Sequence, residues 1–242
     1  MDTSTSSIPP ARAGEYQQRG DYHREPDPSW RYYPVYVEKL ARVRAYLDRV
    51  PAAQARILDV GCGEGLLVEE YRKQGRDIQG LDLHYSSPFV TRGDITQLPW
   101  EPGSFDLVLA LDVIEHLGYA TQAQAFSELA RVLKPGGRAL VSLPNLAHFA
   151  SRLAFLFAGR LLRTSQAERH PGDRPIAEYL ELIKDSGFEV LSRRGVFPTF
   201  PLISALTWFA PARSLPLHRL LNATLAWPGF CFLNLLELRK RA

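Results

Sequence analysis

The stretch Ile57-Leu58-Asp59-Val60-Gly61-Cys62-Gly63-Glu64-Gly65 constrains this chain more than any other. A short, mostly apolar strand runs into three alternate glycines, and a helical segment, Leu66–Lys73, follows at once. Glycine is needed where a backbone must bend sharply and admit a ligand with no Cβ in the way. Taken alone, such a turn is a weak signal that ordinary loops also carry. Asp82 sharpens it. That acid closes the next apolar run, seventeen residues beyond Gly65, near the offset of about 20 residues at which a carboxylate meets ribose hydroxyls in dinucleotide folds.

Strand character recurs at Ile57–Val60, Asp77–Leu81, Phe89–Arg92, Phe105–Leu111, Arg138–Leu143, Phe188–Val196 and Phe230–Arg239, with helices at Leu66–Lys73 and Ala123–Leu133. Strands alternating with helices predict an α/β fold, a parallel sheet covered on both faces. Ahead of it, Tyr36, Leu40, Val43, Leu47 and Val50 mark one face of an amphipathic helix that Pro51 ends. Its polar face carries Glu38, Lys39, Arg42 and Arg44. Residues 1–14 read as a disordered tail, 15–51 as an N-terminal helical lid rich in aromatics and prolines, and 52–242 as one domain. With 242 residues, 45% hydrophobic and 23% charged, the chain can bury one sizeable core. A net charge of +3 gives no reason to expect a nucleic-acid partner. Two cysteines, Cys62 and Cys231, cannot build a disulfide framework, and the N-terminus lacks a signal peptide's apolar run, so a cytoplasmic protein is expected.

Three further blocks follow the glycine turn: Gly93-Asp94-Ile95-Thr96-Gln97-Leu98-Pro99, Phe105–Leu111, and Arg131-Val132-Leu133-Lys134-Pro135-Gly136-Gly137. In this order and spacing, Ile57–Leu143 resembles the class I methyltransferases that use S-adenosylmethionine (SAM). The resemblance implies a Rossmann-like sheet of about seven strands, the last antiparallel, with helices on both faces. It also implies that the turn of Asp59, Gly61, Cys62, Gly63 and Gly65 wraps the methionine part of SAM. Asp82, with Leu83 beside it, would meet the ribose. Asp94 would bond the adenine amino group, with Ile95 against the ring and Leu111 lining the pocket. A nicotinamide dehydrogenase is the physical competitor, but its third glycine would fall where Leu66 stands.

SAM brings an activated methyl group, so the protein's task is to align an acceptor and exclude water. A hydroxyl acceptor also needs a base. The candidates are His116 after the fourth strand, His148 after the fifth, and His23 in the lid. Glu115 and His116 could equally anchor their helix. His170 precedes a loop, and His84 could be a surface residue beside the ribose. No histidine–cysteine spacing for zinc and no magnesium trio stand out, so no metal is expected. The Asn/Asp-Pro-Pro-aromatic motif of enzymes acting on exocyclic amines is missing after strand four. Ser142-Leu143-Pro144-Asn145-Leu146-Ala147-His148 resembles the branch of methionine-biosynthesis protein W and the ubiquinone-biosynthesis O-methyltransferases. The resemblance therefore implies a small-molecule or lipid-like acceptor methylated at oxygen. The alternative is a SAM-binding regulatory or partner subunit without catalysis.

Two segments are unusually apolar. Phe149–Leu162 carries little polarity beyond Arg152 and Arg160, with Arg163 following, and the substrate-side insertion 198–228 is broken by five prolines. Neither matches the uninterrupted run of about 20 apolar residues that a membrane span needs. They could cover the sheet or form a homodimer interface. Alternatively, 149–163 and 198–228 could make peripheral contact with the inner membrane surface and admit a lipid-like acceptor.

Overall fold

Strand β1 (Ile57–Val60) is buried along its whole length, with Leu58 and Val60 in one core and Ile57 in another. A strand with two buried faces must lie inside a sheet covered on both sides. The computed structural model describes residues 24–51, 55–163, 168 and 170–241. The tail, the start of the lid and His23 fall outside them.

The elements run α1 (Tyr33–Leu47), β1, α2 (Leu66–Lys73), β2 (Ile78–Asp82), β3 (Val90–Arg92), β4 (Phe105–Leu111), a 3-10 turn (Ile114–His116), α3 (Tyr119–Val132) and β5 (Leu133–Pro144). They continue with α4 (Phe149–Ala158), α5 (Ile176–Asp185), β6 (Phe188–Pro198), α6 (Pro201–Phe209), α7 (Pro211–Thr224) and β7 (Cys231–Lys240). The sheet has seven strands in the order β3-β2-β1-β4-β5-β7-β6. β7 runs antiparallel to both of its neighbours, as the resemblance implied. One layer packs Val43 and Leu47 of α1 and Leu67, Val68 and Tyr71 of α2 against Ile57, Leu107 and Leu109. The opposite layer packs Phe126 and Leu129 of α3 and Tyr179 and Ile183 of α5 against Leu58, Val108 and Leu236.

Element boundaries moved where local chemistry overrode periodicity. α1 starts at Tyr33, three residues before the first apolar position read from the sequence, because Pro34 suits a first helical turn. α3 starts at Tyr119 rather than Ala123, since its first turn is polar and therefore silent to hydrophobic spacing. There Gln122 is buried, and its Nε2 donates to the carbonyls of Ile114 (3.0 Å) and Gly172 (2.8 Å). β5 begins at Leu133 rather than Arg138. Phe105 pairs with Leu133 and Leu107 with Arg138, so Lys134–Gly137 bulges out of the ladder. Insertion 198–228 is a pair of helices, α6 and α7, between the last two strands in sequence.

Leu236 sits fully buried in β7, in the layer that holds α3 and α5. Leu236→Ala is expected to lower unfolding free energy by about 2–5 kcal/mol, read as a shifted urea midpoint with unchanged slope.

Candidate functional site

The chain leaves β1 toward β2 on one side, while β4 lies on the other. Such a reversal opens a crevice outside the strands' carboxyl ends. Val60 sits level with Leu81 of β2 and Ala110 of β4, so the loops after these three strands emerge together. Gly61 N and Cys62 N both donate to Leu81 O, at 2.7 and 3.2 Å. Gly61 has φ +66°, and a Cβ there would lie 2.2 Å from Val113 Cγ2. Any larger residue would have to displace the loop after β4.

Asp82 organises the turn. Its Oδ2 accepts from Gly63 N at 2.9 Å, and its Oδ1 accepts from His84 N at 2.8 Å and Tyr85 N at 3.2 Å. A carboxylate has about four acceptor directions, so three amides leave capacity for a ligand hydroxyl. Leu83 beside it is exposed. Asp94 is exposed and accepts from both N and Oγ1 of Thr96 at 2.8 Å, a turn that fixes its carboxylate. Ile95, expected against a ring, is buried in the core layer that holds α3. Leu111 is half-buried at the end of β4.

The site is rich in acid. Asp59, within β1, is buried, and its carboxyl is pushed up to about 7. Burial is the main cause, opposed by Lys39 and reinforced by Asp82. Glu115 is 3% exposed and is held well above the usual carboxylate range by burial, then by Asp112 and Asp173. Its Oε2 has no hydrogen-bond partner among the described residues. Asp112 follows β4 with φ +54°, a left-handed conformation that Asp tolerates better than most residues. Ser142 Oγ accepts from Asp112 N at 2.8 Å and donates to its carboxylate, while Lys39 pairs with that carboxylate from α1. Placed on the polar face by periodicity, Lys39 is in fact buried and turned into the site.

The histidines separate. His116 is exposed at the carboxyl edge after β4, its ring 4.6 Å from that of His170 and edge-on to it. His170 Nδ1 lies 3.4 Å from Asp173 Oδ1. Ligand atoms of Glu115, His116 and His170 lie within 4.8 Å of one another, a donor set that a divalent cation could take. Sequence spacing missed this grouping because His170 comes from a loop 54 positions away. The structure gives His148 another task. Buried at the start of α4, it caps that helix by accepting from Ser151 N at 3.3 Å. Thr199 Oγ1 lies 2.9 Å from the same ring nitrogen. Burial pushes the imidazole down to about 4, against a hydrogen bond to the Leu162 backbone. A capped, neutral, buried ring is a poor base.

A crevice edge with the carboxylates of Asp82 and Asp112, backed by the carboxyls of Asp59 and Glu115 that burial pushes toward the protonated form, suits a cationic ligand. The glycine turn supplies backbone without side chains in the same place, so the residues present fit a sulfonium amino acid joined to a nucleoside. A sequence family described as a methyltransferase domain matches residues 58–141. A probable S-adenosylmethionine-dependent methyltransferase of Mycolicibacterium smegmatis is 36% identical over 151 residues, covering 58% of this chain and 54% of that protein. The chain thus spans about half the length of that relative. A ubiquinone biosynthesis O-methyltransferase of Nitrosococcus oceani is 28% identical over 214 residues, covering 81% and 89%. The crystal structure of an S-adenosylmethionine-dependent methyltransferase from Mesorhizobium loti has the same fold, with TM-score 0.52 at 20% identity over 81% of this chain and 96% of that one.

Asp59 gives a pH prediction. Its folded value near 7 exceeds its ordinary value, so between the two the folded state holds the extra proton. The stability this contributes is full below the ordinary carboxylate range and is lost as pH rises through about 7. Asp59→Asn should flatten this decline, seen as urea midpoints that change less than wild type between about pH 5 and 8.

Proposed function

Because the chain belongs to the class I SAM-dependent methyltransferases, we propose that it transfers the methyl group of SAM to an oxygen of a small-molecule or lipid-like acceptor. The observation that carries this reading is the bare glycine turn braced by Asp82, whose carboxylate keeps acceptor capacity beside it, in an acidic crevice that complements a ligand bearing sulfonium and ammonium charge. Oxygen is favoured by the ubiquinone O-methyltransferase among the relatives and by the missing amine-methylation motif after β4.

SAM, when bound, supplies a methyl group that its own positive charge has already activated. Gly61 and Gly63, with Cys62 and Gly65 shaping the bend, lay bare backbone along the methionine part, and Asp59 supports that turn from within β1. Asp82 receives the ribose hydroxyls with the acceptor capacity left by Gly63, His84 and Tyr85. Asp94 would hold the adenine amino group, with Ile95, Leu83 and Leu111 as the apolar side chains available to the ring. Positioning and exclusion of water do most of the work, since charge is dispersed as the methyl moves. The proton of the acceptor hydroxyl goes to His116, the exposed imidazole at this edge. His170 and Asp173 behind it set its orientation.

Purified protein given SAM labelled in its methyl group and a cell extract should place label in an acceptor, and organic extraction reports whether that acceptor is lipid-like. His116→Ala should lower transfer about 10²–10⁴-fold with SAM affinity within about twofold, as for a base that does not touch the cofactor. Asp82→Ala should weaken SAM binding about tenfold or more by calorimetry. Folded protein that binds neither SAM nor its demethylated product would sink the assignment.

A further inference from the structure

Two helices on the carboxyl side of the sheet, α4 and α6, are built inside out, and α7 beside them buries a largely polar face. α4 buries Ser151 while Phe155, Leu156 and Phe157 face solvent. α6 buries Thr207 while Leu202 and Phe209, 87% and 84% exposed, point outward. α7 buries Ser214, His218 and Asn222 together with Pro211 and Leu221, and leaves Leu220 out. The inward polar groups have work to do: Thr207 Oγ1 lies 2.6 Å from His218 Nε2, joining α6 to α7, and Asn222 Oδ1 accepts from Phe197 N at 2.8 Å. Ordinary surface helices show the reverse arrangement, and contiguous exposed apolar patches mark interaction sites.

The helices share one region. α4 follows β5 and α6 follows β6, strands that run the same way on either side of β7. Both helices therefore leave the carboxyl edge that carries the glycine turn. Phe149 and Phe200, at their starts, are in edge-on contact at 5.5 Å.

Charge identifies the occupant. No Asp or Glu stands between Glu128 and Glu168, nor between Glu189 and Glu237. The same two stretches hold Arg152, Arg160, Arg163, Arg213 and Arg219. Arg219 lies 3.8 Å from Glu38 of α1, and Arg152 donates to the carbonyls of Ala147 and Gly229. That leaves Arg160, Arg163 and Arg213 as the charge of the patch, and a second copy of this chain docking through it would set these arginines against each other. A surface both apolar and negative answers both features. No helix among the described residues is long and apolar enough to cross a membrane, so the contact is with the interface.

We propose that α4, α6 and α7 form a docking face for the surface of an anionic phospholipid bilayer, their aromatic and leucine side chains entering the headgroup boundary and their arginines meeting lipid phosphates. This face stands whatever atom accepts the methyl group.

The test is flotation of the full chain with phosphatidylcholine vesicles, with and without phosphatidylglycerol, beside Phe157→Glu and Phe209→Glu. Both side chains are more than four-fifths exposed, so the fold should tolerate the changes, and SAM affinity serves as the control. Binding that requires phosphatidylglycerol, weakens with salt, and falls about tenfold or more in each variant is the expected result. Failure to float with anionic vesicles overturns the proposal, as does binding that the two variants leave intact. A dimer in light scattering that these variants dissolve, without vesicle binding, assigns the face to a second copy instead. Loss of SAM binding by every form would count against the methyltransferase reading and leave the vesicle result standing.

Discussion

The ion pair between Lys39 and Asp112 places the buried cation of α1 among three carboxylates that would otherwise repel one another. Losing one partner of a fully buried pair costs about 3–5 kcal/mol, less here because 38% of the Asp112 side chain stays accessible. Ser142 holds the same carboxylate from β5, so Asp112 keeps its left-handed backbone under two constraints. One helix and two strands thus meet on a single side chain. α1 is thereby part of the site's electrostatics.

That arrangement explains which features could be read from the chain. The glycine turn and Asp82 were legible because their spacing is set by backbone geometry, which is local. The count of about seven strands and the antiparallel last strand followed from resemblance; their order β3-β2-β1-β4-β5-β7-β6 came only with the structure. Lys39 was hidden because a helix wheel assigns a lysine to solvent, and only the fold brings Asp112 beneath it. His170 was hidden for the same reason, since its neighbour His116 lies on a distant strand end.

His148 shows the opposite case, in which a residue stands at the right place in sequence and serves another purpose. The chain after β5 must start a helix with no Ser, Thr, Asp or Asn at the capping position, and the imidazole of His148 takes that role. Ile95 follows Asp94 as the resemblance requires, but its side chain lies with Leu81 and Leu98 in the core. Position in a motif tells where a backbone goes. It does not tell which way a side chain turns.

The apolar segments carry the same lesson into the chemistry. Composition alone marked 149–163 and 198–228 as greasy, and a greasy helix is ordinarily expected to turn that face inward. In α4 and α6 the inward positions are taken by Ser151 and Thr207, and in α7 Ser214, His218 and Asn222 share them with Pro211 and Leu221, so most of the apolar residues of α4 and α6 are left outside. Because α4 and α6 rise from the edge that holds the glycine turn, an acceptor partitioned into an apolar phase would reach the methyl donor without crossing open water. A water-poor approach is also what methyl transfer favours, since the transition state carries more dispersed charge than the reactants. On the proposed reading, the inverted helices and the acid-lined crevice would be two halves of one arrangement: one to gather a greasy acceptor, the other a cationic donor.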